Sequence, residues 1–148
     1  MTETIRPIAE AFYRASAERD IARAMSLIAD DVDWLVQGPV DIFAFLGQRR
    51  GKTAVQEGYR EIARKLEITG YHVETLLVDG DRAAAMIRLT PVVRATAKTM
   101  SIRTSQFSRF RDGKMIEMRA VIDSYDMVEQ ALGRALDLAS IELESLPA

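Results

Sequence analysis

Cysteine is absent from this 148-residue chain. That absence excludes a disulfide framework, a thiolate metal site and a cysteine nucleophile. Histidine occurs once, at His72, so a site with several imidazole ligands is ruled out and no metal is expected. No apolar run approaches the roughly 18–20 residues of a membrane-spanning helix. The formal charge is only −2, which gives nucleic acid or an anionic membrane nothing to recognise. The opening MTETIRPIAEAF holds acids and lacks the apolar centre of a secretory signal, so a cytoplasmic location is expected. There is no repeat, low-complexity tract or linker, and no cofactor motif. A single domain over residues 1–148 is the expectation.

What is present is apolar: 48% of the residues, ample for one core. Ile5, Ile8, Ala9, Phe12 and Ala15 recur at helical spacing, with Thr4 as the expected cap and Pro7 tolerated in the first turn. Asp20 is placed to cap a second helix that runs to Asp30-Asp31. Val32 to Gln37 reads as a short strand stopped by Gly38-Pro39, and residues 40–50 as a loop with an apolar patch. Lys52 to Leu66 reads as a helix with Val55, Tyr59, Ile62, Ala63 and Leu66 inward. Strands follow over Thr69–Val78, Arg82–Ala95, and a pair within Lys98–Asp123, then a helix that Gly133 can end. The run Gly47 to Thr53 imitates a phosphate loop, but its spacing is one residue short and no parallel β-α unit surrounds it. Gly51 opening a helix explains it, with Arg49, Arg50 and Lys52 as a basic rim. The order of elements is α+β, with helices on one face of a bent sheet.

The last strand pair carries most information. Ile116, Met118, Ala120 and Ile122 share one face, while Glu117, Arg119, Val121 and Asp123 share the other. Opposite them, Met100, Ile102, Thr104, Gln106, Ser108 and Phe110 are uncharged. A three-residue loop, Arg111-Asp112-Gly113, pairs Gln106 with Met118 and Ser108 with Ile116 and so keeps the interior consistent. The expected turn is type I with a bulge and Gly113 at positive φ.

Three pieces carry a resemblance: two opening helices ending in Leu27-Ile28-Ala29-Asp30-Asp31-Val32-Asp33-Trp34, the loop Gly47–Gly51 leading into a helix, and Phe107 to Glu117. In their order and spacing the chain resembles the nuclear-transport-factor-2-like superfamily, especially its SnoaL-like polyketide cyclases and ketosteroid-isomerase-like proteins. The resemblance covers about residues 5–133 and leaves 134–148 as a C-terminal extension. It implies a cone-shaped, cystatin-like fold. A curved antiparallel sheet wraps around three N-terminal helices, a short C-terminal helix follows, and a deep pocket and often a homodimer complete the picture. The fold hosts enzymes and binding modules alike.

Residue by residue, the inherited chemistry thins out. Where ketosteroid isomerases place a base, a helix tyrosine and an oxyanion-binding acid, an ungapped alignment puts Val36, Phe12 and Gln106. Where limonene-epoxide-hydrolase-like members place an Arg-x-Asp and a second Asp, it puts Arg88-Leu89-Thr90 and Ala120. A register shift of one or two residues brings Asp33, Asp41 or Asp123 back into consideration.

The candidates for chemistry are therefore Gln106, Asp123, Asp41 and His72. Gln106 either binds a ligand oxygen or is satisfied by Thr104 or Ser108. Asp123 is a base, a helix cap or a partner of Arg119. His72 is a base or a surface residue. The expected pocket wall comprises Phe12, Tyr13, Trp34, Val36, Phe43, Phe45, Tyr59, Met86, Arg88, Thr104, Gln106, Met118, Ala120 and Ile122. Arg88 belongs there only if its face looks inward; otherwise it is solvated or at a dimer seam. The expected partners are a hydrophobic small molecule and a second copy. Phe107 and Val121 on the otherwise polar face are where that copy would pair. Two functions remain open: a pocket protein with isomerase, cyclase or hydrolase chemistry, and a non-catalytic dimeric binding module.

Overall fold

A computed structural model describes residues 5–138. Helix α1 (Arg6–Ala17) carries Pro7 in its first turn and buries Ala9, Phe12, Tyr13 and Ala15. The expected cap, Thr4, lies outside the described residues, as does everything beyond residue 138. Helix α2 (Ile21–Ser26) is capped as expected: the Asp20 carboxylate accepts from the Arg23 N–H at 3.1 Å. It ends earlier than the sequence suggests, because strand β1 (Ile28–Gln37) already begins at Ile28. Ile28 and Val32 are fully buried. Asp30 and Asp31 therefore belong to the strand, where a register irregularity between Ile28 and Asp33 leaves both carboxylates in solvent.

The stretch read as loop contains a further strand, β2 (Gly47–Arg50), antiparallel to β1. Helix α3 (Lys52–Lys65) starts at Gly51, whose φ of 87° suits only glycine, so the imitation phosphate loop is a helix start. Strands β3 (Leu66–Asp79) and β4 (Arg82–Val93) form a hairpin, and the short β5 (Lys98–Thr99) pairs with β4. Strands β6 (Ile102–Arg111) and β7 (Lys114–Ile122) form the second hairpin. Helix α4 (Ser124–Leu132) is capped by Asp123, whose carboxylate accepts from the Asp126 N–H, and is closed by Gly133 at φ 75°.

The described strands make one sheet in the order β2-β1-β7-β6-β4-β3. All pairs are antiparallel except β1 with β7, which run parallel and join the front of the chain to its last strand. The sheet is therefore mixed rather than wholly antiparallel. Its inner face and the helices share one core, in which Ala9, Phe12 and Val55 meet Val32, Ile87, Phe110 and Met118. A second cluster at the far end joins Phe43, Phe45, Leu66, Met100, Ile102 and Met127.

The β6–β7 turn departs from the expected one. Arg111 pairs with Lys114, so the loop has two residues, and both Asp112 (φ 52°) and Gly113 (φ 76°) are left-handed. That is the mirror-image turn that suits hairpin twist. A bulge at Ile116 follows, and from there Gln106 faces Ala120 and Ser108 faces Met118. The expected faces are preserved beyond the bulge, but the pairing is displaced by two residues. Before the bulge Met115, not Ile116, is the fully buried side chain.

Candidate functional site

Across the inner face one row of side chains runs Gly47, Val36, Ala120, Gln106, Ala85. Four of the five are small or medium apolar groups, so the only amide of the row stands among neighbours that leave space around it. That space is a cavity of about 150 Å³. Its sheet side is Trp34, Val36, Thr104, Gln106, Ala120 and Ile122; its helix side is Val55, Gly58, Tyr59 and Ile62 of α3. Phe45, Leu46 and Met127 of α4 close the end. The lining is overwhelmingly apolar, and among the described residues it includes no Asp, Glu or His.

The polar groups that do reach it are specific. Tyr13, buried on α1, donates its hydroxyl hydrogen to Gln106 Oε1 at 3.1 Å. The amide oxygen is thereby occupied, and the amide N–H groups are what Gln106 offers to the cavity. Burial raises the Tyr13 phenol far above its ordinary range, with nearby Ser108 offsetting part of the effect. Burial alone pushes Tyr59 up to about 12, so its hydroxyl keeps its proton. Its ring meets Trp34 edge-on, with centroids 6.1 Å apart. Thr104 is spent locally, donating to the Val121 carbonyl at 3.0 Å.

The cation in this site is Arg49. In the β1–β2 ladder it lies opposite Trp34 and so shares the inner face. Nη1 donates to the Ala54 carbonyl at 3.1 Å, and Nη2 approaches Glu61 at 3.6 Å. Its Nε is buried without a hydrogen-bond partner. Gly58 makes this arrangement possible: a Cβ there would stand 2.7 Å from Arg49 Nε.

Eight of the residues expected in the wall line the cavity: Trp34, Val36, Phe45, Tyr59, Thr104, Gln106, Ala120 and Ile122. Phe12 and Met118 are sealed in the core, and Tyr13 reaches the site only through Gln106. Phe43 packs behind Phe45 at 5.8 Å. Met86 and Arg88 are on the other side of the sheet, because Ala85 and Ile87 point inward and parity turns their neighbours out. There Arg88 and Arg103 share Glu74, at 3.3 and 2.9 Å.

The acid and histidine candidates stay outside the cavity. Asp123 is exposed and caps α4, and Asp41 is exposed in the turn before β2. His72 is exposed on β3, opposite Arg88. Asp33 is held by Arg119 at 2.8 Å on the outer side, and that bond, with Gln48 assisting, lowers its pKa. Arg49 was legible only as a rim residue, because the four-residue β2 has no alternating pattern; its pairing with β1 is the signal that places it.

The SnoaL-like domain family matches residues 9–118. This chain belongs to the SnoaL-like family. A crystal structure from Rhodopseudomonas palustris, described as "Putative Isomerase", is 38% identical. The match covers 86% of this chain and 94% of that one, with a TM-score of 0.76. A "putative SnoaL-like polyketide cyclase" from Mesorhizobium loti is 25% identical over 79% and 97% of the two chains, with a TM-score of 0.67. An LEH-like epoxide hydrolase from M. tuberculosis is 16% identical over 86% and 88%, with a TM-score of 0.68, and shares the fold. A comparison with curated proteins returns no match. Among the described residues no helix of this SnoaL-like chain is long and apolar enough to cross a membrane.

Proposed function

We propose that this protein binds an apolar small molecule by a single acceptor oxygen, a carbonyl or its equivalent, set against Gln106. The observation that carries the reading is the Tyr13–Gln106 hydrogen bond, which takes the amide oxygen and leaves N–H donors for the cavity. Tyr59 and Arg49 line the same cavity and are donors too. A cavity of about 150 Å³ is the size that holds one benzene ring in other proteins. Donors in a dry site stabilise negative charge on a ligand oxygen, which is the electrostatic half of isomerase, cyclase or hydrolase chemistry. Among the described residues the proton-accepting half has no lining carboxylate or imidazole to serve it. The reading is therefore of a binding site that polarises its ligand.

Acetophenone and α-methylstyrene differ only in oxygen against methylene and test this directly. Titration should show acetophenone binding several-fold tighter, with amide shifts at Thr104 and Ala120, and Gln106→Leu should erase the difference. Equal binding of the two ligands, or a preference that survives in Gln106→Leu, would sink the reading.

We further propose that two copies pair through the outer sheet face. Leu77, Phe107 and Val121 are exposed there, amid charges of both signs such as Arg103, Glu74, Arg109 and Glu117. Such a patch is self-complementary when rotated onto itself. Light scattering at micromolar concentration should give a dimer mass that Phe107→Glu reduces to a monomer; a monomeric native protein refutes the pairing.

A further inference from the structure

A second cavity, of about 410 Å³, adjoins the first: Tyr59, Ile62, Leu66, Ile68 and Leu89 border both. Its body is apolar, but its lining also holds two arginines far apart in sequence, Arg19 after α1 and Arg94 after β4, and one acid, the exposed Glu67, which forms no ion pair with either. Both are anchored through a single nitrogen. Arg19 Nη2 donates to the Ile68 carbonyl, and Arg94 Nε donates to the Ala63 carbonyl at 2.8 Å. Each guanidinium has five N–H donors, so most of each fork is left over.

Neither has an acid partner among the described residues; Arg14, Arg23, Arg111 and Arg134 share that state, but of these six only Arg19 and Arg94 line the cavity. Arg49, Arg60, Arg64, Arg88, Arg103 and Arg119 all lie within 4.0 Å of a carboxylate. Arg19 is also a non-glycine residue in the left-handed region, at φ 64°, a conformation that costs about 1 kcal/mol. That backbone turn brings its side chain back onto Ile68. Partial burial, the larger influence, lowers its pKa, as expected for a cation short of a counter-charge.

We infer that this arginine pair is an anion-reading subsite, and that the ligand is an amphiphilic carboxylate: its oxygen-bearing ring in the inner cavity, its apolar link along Tyr59 and Leu89, and its carboxylate between Arg19 and Arg94. The inference rests on the reading of the inner cavity given above. The planar guanidinium fork matches a carboxylate, and an apolar approach strengthens the attraction.

The probe is 5-oxo-5-phenylpentanoate, which has a ring, a ketone and a carboxylate in that order, compared with its neutral carboxamide. Calorimetric titration of the full chain should show the carboxylate binding at least tenfold tighter, with amide shifts at Ala63, Ile68 and Tyr71 that the carboxamide does not cause. Arg19→Gln and Arg94→Gln should each weaken the carboxylate at least fivefold and leave the carboxamide unchanged, while Arg19→Lys retains part of the preference. Added salt should narrow the gap. Thermal melts of each variant separate lost binding from lost folding. Equal affinity for the two probes, with the carboxamide still bound at Thr104 and Ala120, overturns the subsite and leaves the inner cavity reading intact. A carboxylate preference that survives Arg19→Gln/Arg94→Gln but disappears in Arg49→Met overturns it too, because the anion is then read inside. Binding of neither probe overturns both.

Discussion

At the scale of single residues, Gly58 shows how a side chain can be defined by the absence of another. A glycine in a helix interior is unfavourable by about 1 kcal/mol against alanine. Here it leaves room for Arg49 to cross α3 and reach the cavity. Gly58→Ala sets that gain against the loss of Arg49's contacts with Ala54 and Glu61, so it should lower the denaturation midpoint and also weaken acetophenone binding by displacing the guanidinium. Undiminished affinity in that variant would show that Arg49 has no part in recognition. Asp33 poses a different test. Its bond to Arg119 lowers its folded pKa, so the stabilisation is complete above the unfolded value of about 3.9 and is lost as pH falls through the folded value. Asp33→Asn should cost about 0.5–1 kcal/mol at neutral pH, and native and variant stabilities should converge in acid. Of the site itself, Gln106 was legible because parity on one strand suffices to aim it. Arg49 was not, because its aim depends on a partner strand that four residues, Gly-Gln-Arg-Arg, do not announce.

At the scale of elements, the sequence was most reliable where one residue does one local job. Asp20 and Asp123 cap their helices and Gly133 ends α4, as their chemistry requires. Pairing was harder. Parity separates odd from even, and a three-residue loop has the same parity as a two-residue loop followed by a bulge. The hydrophobic pattern of β6 and β7 could not distinguish them; the left-handed pair Asp112-Gly113 does. The bulge is then what makes a two-residue turn compatible with this sequence. Deleting Ile116 would remove it and leave Glu117 opposite Arg109 and Met118 opposite Ser108, so cooperative unfolding followed by circular dichroism should survive, whereas deleting Met118 should abolish it by turning Ala120 and Ile122 outward. Gly113→Ala keeps the register and should cost only about 1 kcal/mol, the penalty of a side chain at positive φ. A larger loss would mean that the turn also makes tertiary contacts.

At the scale of the molecule, the core and the cavity compete for the same sheet face. Met118 is fully buried two residues from Ala120, which faces empty space. Met118→Ala should cost about 2–5 kcal/mol in chemical denaturation, as for other large core truncations. Ala120→Leu should instead fill the cavity, abolish acetophenone binding and leave stability nearly intact. Composition and element order were enough to give the α+β architecture. The outward placement of Met86 and Arg88 was not readable, because alanine-rich β4 offers weak contrast between its two faces.

The parallel seam between β1 and β7 fixes when the protein can be finished. A growing chain makes β1 and β2 early, yet β1's neighbour on its other side, β7, is the last of the described strands to be synthesised. Until then the edge of β1 that faces away from β2 is unpaired, and an open strand edge is available to any other unfinished chain. The vulnerable period of this protein is thus its own translation, and it lasts until β7 emerges.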